Sequence, residues 1–102
     1  MIIILTSVNT TKLAKKISKG LVHKKIAFCV KIINNVSSTY YWKDKIISDK
    51  EIIILIKSFK QNLKDVKKFI LENHNYDTPE IITLDTESLN EKYTKWAQNL
   101  LK

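Results

Sequence analysis

The 102-residue sequence contains one glycine, one proline, one cysteine and no arginine. Gly20 and Pro79 cannot build a Walker loop or a dinucleotide-binding fingerprint, because those loops need several backbone positions that only glycine occupies. Cys29 has no partner for an internal disulfide, and a structural zinc site would have to find its other ligands in a pool holding two histidines. A reducing compartment, the cytosol, is expected. Long hydrophobic runs are missing too: Ile2–Leu5 and Ile52–Ile56 fall far short of the roughly 20 apolar residues of a membrane helix. The first residues lack the basic and apolar regions of a secretory signal.

What is present suits a folded chain, with 44% hydrophobic and 27% charged residues. A chain of this size forms one domain, spanning 1–102, and buries about 60–70% of its unfolded surface. Lysines number 18 against ten acidic residues, for a formal charge of +8. Lysine cannot make the bidentate fork that reads guanine or grips a phosphate. Abundant Ile, Asn and Lys without Arg reads as an AT-rich coding bias, so neither nucleic acid nor membrane is an expected partner.

Ile2–Val8 is β-branched and short, and Asn9-Thr10-Thr11 offers caps ahead of Leu13, Ala14, Ile17 and Leu21 at helical spacing. Gly20 inside that helix costs about 1 kcal/mol relative to Ala. Ile26–Val36 alternates with a period of two, Thr39–Trp42 favours strand, and Ile46–Lys57 resumes strand character beyond a tip at Lys43–Lys45. Ser58 with Gln61 has capping-box spacing before the stripe Leu63, Val66, Phe69, Ile70, which ends near Asn73. A loop, His74–Glu80, leads to a short strand, Ile81–Leu84. Ser88 with Glu91 repeats the capping spacing before Leu89, Tyr93, Trp96, Ala97, Leu100 and Leu101. The order β-α-β-β-α-β plus a terminal helix is the α+β, ferredoxin-like plan, with two helices on one face of an antiparallel sheet. Ile2–Leu5 and Ile52–Ile56 are apolar on both faces, so something must cover the open face; self-association is expected there.

Several segments carry a resemblance: Ile26–Val30; Ser38-Thr39-Tyr40-Tyr41-Trp42 with Lys45; Asp49, Glu51 and Leu55–Ser58; His74-x-Tyr76-x-x-Pro79-Glu80-Ile81; and Tyr93 with Trp96. In register over nearly the whole chain, these residues resemble CutA, the divalent-ion tolerance family. The resemblance implies a ferredoxin-like fold, a homotrimer resembling the PII signalling proteins, and a link to copper and other divalent cations without a secure biochemical activity. Lys31, Asp44 and Asn75 depart from the family pattern. Asp44 implies a hairpin tip of different geometry, and Asn75 a looser loop around His74.

Cys29 stands at the family's cysteine position, where a thiolate suits copper, although a free cysteine on an alternating strand is also an ordinary small core residue. His74 and Glu80, with Asp77 between them, offer an imidazole and carboxylates to the same ion; a hydrogen-bonded loop anchor is the other reading of His74. Cys29, His74 and Glu80 are therefore the candidate metal ligands, with copper or another divalent cation the expected cofactor. Tyr41 and Trp42, together with Ile52 and Ile54, are expected at the trimer interface, since aromatic side chains dominate such interfaces. Alternatively Tyr41, Trp42, Lys57, His74, Tyr76 and Glu80 line a cleft between subunits that binds a small anion or metal complex, while Glu51 and Lys57 could also pair across subunits. His23 reads as a surface residue favoured by a helix C-terminus. No spacing suggests an activated nucleophile, so an enzyme is not expected.

Overall fold

The computed structural model describes residues 1–101. Strands β1 (Ile2–Val8), β2 (Cys29–Trp42), β3 (Lys45–Ser58) and β4 (Ile82–Asp85) form one antiparallel sheet in the order β2-β3-β1-β4. Helices α1 (Thr11–His23) and α2 (Leu63–Asn73) pack on one face, and α3 (Glu91–Leu100) closes the chain. This is the expected ferredoxin-like arrangement.

Alternation along β1 and β3 decides which residues meet the helices. Ile2, Ile4 and Val8 on β1 and Ile52, Ile54 and Ile56 on β3 point inward against Ala14, Ile17 and Leu21 of α1 and Val66 and Ile70 of α2. Ile52 and Ile54, expected at a subunit interface, thus belong to the chain's own core; Ile54 is 0% exposed. The open face is carried instead by Ile3, Leu5, Ile53 and Leu55, all partly exposed, and by Ile33, Ile82 and Leu84, which are about half exposed.

Thr10 caps α1, its Oγ1 accepting from the Leu13 N–H at 3.2 Å. A Cβ built on Gly20 would meet Phe69 Cζ at 2.3 Å, so the glycine exists for the crossing of α1 with the Phe69 ring. Neither capping box forms. Ser58 ends β3 fully buried and donates to the Ile26 carbonyl at 2.6 Å, while a 3-10 turn, Lys60–Asn62, precedes α2. Asn90 caps α3, accepting from the Lys92 and Tyr93 N–H groups at 3.0 and 3.4 Å; Ser88 only supports that turn. Leu89, expected on the apolar stripe, lies before α3 and is 95% exposed.

The strand begins at Cys29 rather than Ile26, and its alternation breaks between Ile33 and Val36, where Asn35 adopts a φ of 60°. Asparagine tolerates that left-handed conformation better than most residues, and the register shift is a bulge. At the tip, Trp42 pairs with Lys45 across two left-handed residues, Lys43 (φ 48°) and Asp44 (φ 62°), the pattern of a two-residue hairpin turn. β1 reaches only as far as Ile52, so Lys45–Glu51 pair with β2 alone and the hairpin projects as a two-stranded ribbon. It sets the 46 Å long axis of the molecule.

Candidate functional site

The 74–80 loop is stapled to the sheet where the ribbon leaves it. Ser7 and Glu51 both carry open-face side chains, by parity with Leu5 and Ile53. Ser7 Oγ donates to Glu80 Oε2 at 2.8 Å, and Tyr76 Oη donates to Glu51 Oε2 at 2.9 Å. The His74 ring fixes the loop from behind. Its Nδ1 accepts the Tyr76 N–H at 3.1 Å, which leaves the proton on Nε2 to donate to the Ser7 carbonyl at 2.7 Å. Asn75 adds a weaker tie to Asn9 at 3.3 Å.

Between loop and ribbon lies a cleft of about 620 Å³, lined by Ser7, Ser38, Thr39, Tyr40, Trp42, Glu51, Tyr76, Asp77, Thr78 and Glu80. Among the described residues no lysine lines it. Beside it Tyr40 Oη donates to Asp49 Oδ2 at 2.6 Å. Burial, then the hydrogen bond to Glu51, pushes the Tyr76 phenol well above its usual range, because ionising it would set two negative charges against each other. The bond to Asp49 raises Tyr40 in the same way. The cleft is thus an oxygen-rich, aromatic surface that includes the carboxyl groups of Glu51, Asp77 and Glu80.

The structure brings together only part of the expected site. Trp42, Tyr76 and Glu80 line the cleft. Both ring nitrogens of His74 are engaged in hydrogen bonds that anchor the loop, and the ring is not among the residues lining the cleft. Cys29 lies elsewhere, opposite Lys57 and packed at the small cluster of Phe28, Tyr93, Ala97 and Leu101. Lys57 itself donates to Tyr93 Oη at 3.2 Å, with its ammonium 5.3 Å from that ring. Four residues of β3 separate Lys57 from Ile53, the partner of Ser7, so roughly 13 Å of strand stands between Cys29 and the cleft. Cys29 therefore does not meet His74 and Glu80 within one chain. Among the described residues no group of three or more His, Cys, Asp or Glu is arranged to hold a metal ion.

Tyr41 pairs with Ile46 on the opposite side of the ribbon and is 70% exposed. Within this chain Glu51 accepts from Tyr76 and Lys57 donates to Tyr93. Ser7, Tyr40 and Asp49 were not foreseen. Tyr40 was legible, since two residues before Trp42 it shares that residue's face of the strand. A polar Ser7 near the end of an apolar strand was a fainter signal.

A family model described as CutA1 divalent ion tolerance protein matches residues 2–100. The chain is 30% identical over 96 residues to the divalent-cation tolerance protein CutA of Thermus thermophilus, covering 94% of this chain and 93% of that protein. It is 33% identical over 98 residues to the chloroplastic protein CutA of Arabidopsis thaliana, covering 96% of this chain and 54% of that protein. The chain spans about half the length of the plant and animal relatives it matches. Among solved structures, CutA1 from Oryza sativa superposes with a TM-score of 0.95 at 30% identity, covering 99% of this chain and 93% of the other.

Proposed function

The chain belongs to the CutA1 divalent ion tolerance family, and from that premise we propose that it contributes to divalent-cation tolerance in the cytosol by binding, without turnover, as a homotrimer. The observation that carries the binding reading is the pair of carboxylates, Glu51 and Glu80. Each is held by one hydroxyl donor at the wall of a single cleft, in a chain whose net charge is +8. Because Ser7 and Glu51 share the face of Leu5 and Ile53, the cleft opens toward the apolar surface that further copies would cover. A neighbouring copy is then well placed to complete a ligand set that one chain lacks. Copper fits among the cations, since Cu²⁺ binds most tightly of the first-row divalent ions at a given oxygen or nitrogen site.

Calorimetric titration with Cu²⁺ tests this. Glu80→Gln and Glu51→Gln should each weaken binding by at least about tenfold, and Cys29→Ser should leave it unchanged. Equal binding by all three variants would remove the cleft from the account. The cleft volume and its aromatic walls, Tyr40, Trp42 and Tyr76, also favour a second reading, a small-ligand sensor resembling PII proteins. A screen of metabolites for a rise in melting temperature would reveal such a ligand.

A further inference from the structure

The net positive charge of this molecule arises in one layer. Segments 11–25 and 60–73, the two helices and their immediate flanks, hold ten of the 18 lysines and two of the ten acidic residues, a balance of +8. The remaining eight lysines and eight acidic residues cancel. A coding bias toward lysine would add charge to every exposed surface alike; it does not explain a neutral remainder beside a layer that carries the whole excess.

Helical periodicity aims this charge away from the sheet. With Ala14, Ile17 and Leu21 turned to the core, Lys12, Lys16 and Lys19 stand on the opposite side of α1. With Val66 and Ile70 inward, Lys64 and Lys68 stand on the opposite side of α2. All ten lysines are exposed, and among the described residues only Lys60 has a carboxylate within ion-pair distance, Asp85 at 3.4 Å. The layer lies across the sheet from Ile53 and Leu55, so assembly through the open face leaves it outward.

From this we infer that the α1/α2 layer is a docking surface for an anionic lipid membrane. Two helices side by side, α1 roughly 20 Å long at about 1.5 Å per residue, spread their charge over one broad face, with a hollow at Lys24, Asp65, Lys68, Phe69 and Glu72 between them. The layer has no arginine to read bases, and its one aromatic, Phe69, is half-buried with the Lys24 ammonium 5.5 Å from its centre, so nothing is offered for bases to stack on. Leu71 and Val22, 50% and 45% exposed, stand among the lysines and can touch the headgroup layer. Lysines near an anionic leaflet attract it additively and lose that attraction as salt screens them.

Co-sedimentation of the full chain with phosphatidylcholine vesicles, with and without about one third phosphatidylserine, tests the inference. We expect binding only to the phosphatidylserine vesicles, falling steeply as salt rises past about 0.1 M. Replacing Lys15, Lys16, Lys19, Lys64, Lys67 and Lys68 with Gln should weaken it more than about tenfold. Replacing Lys43, Lys45 and Lys50 on the ribbon with Gln should not. Circular dichroism checks that both variants fold. Absence of binding at low salt, equal loss in both variants, or retention on duplex DNA or RNA without binding to vesicles would each overturn the proposal.

Discussion

Tyr76 donates its hydroxyl to Glu51 at 2.9 Å, tying the 74–80 loop to the strand from which the ribbon projects. The bond is partly buried and made to a charged acceptor, so Tyr76→Phe should cost about 1–2 kcal/mol in denaturant unfolding. It should also free one oxygen of Glu51 toward the cleft.

That bond gives the stability a pH signature. A raised phenol pKa means that the folded protein holds the proton more tightly than the unfolded chain. The contribution is therefore intact below a pH of about 10 and is lost as the pH rises beyond it, through the range where folded Tyr76 ionises. Ultraviolet titration should show a delayed tyrosinate phase, which Tyr76→Phe removes in part, Tyr40 being raised as well.

Gly20→Ala should destabilise the protein by about 1 kcal/mol despite its gain in helix propensity, because the new methyl must displace the Phe69 ring. In a Phe69→Ala background the same substitution should stabilise. Melts of the four proteins in that cycle measure the coupling.

Asn90→Ala should cost about 1 kcal/mol by removing the α3 cap, while Ser88→Ala should cost a few tenths. Ser58→Ala should cost more than Ser88→Ala, since the buried Ser58 hydroxyl is the group that donates to the Ile26 carbonyl.

Those three serine and asparagine positions show where the sequence was legible and where it was not. The alternation of β1 and β3 and the stripe of α1 mapped directly onto strand and helix, because burial follows periodicity. Capping spacing did not, because Ser58 is first a buried strand residue and its hydroxyl is already spent on Ile26. The two-sided apolar run of β3 announced an uncovered face, but which residues formed it depended on the helices' side of the sheet, and parity gave Ile53 and Leu55 rather than Ile52 and Ile54. At the site, Tyr76 and Glu80 were visible as a motif. Ser7 joins them from 73 residues away from Glu80, and only the β1–β3 pairing brings it there.

Neighbouring positions on β3 should therefore respond in opposite ways. Ile54→Ala should cost about 3 kcal/mol by opening a cavity in the core. Ile53→Lys and Leu55→Lys should leave each chain folded by circular dichroism while separating the copies. The isolated ribbon argues the same way: a two-stranded hairpin with Tyr41 and Ile46 70% and 77% exposed is marginal in water without a partner.

Absolute mass in dilute solution, by light scattering coupled to size exclusion, tests the covered open face most directly. The account predicts a mass of three chains for the unaltered protein and of one chain for Leu55→Lys. A stable, soluble monomer of the unaltered protein would contradict it, and the cleft would then have to bind with the residues of one chain alone.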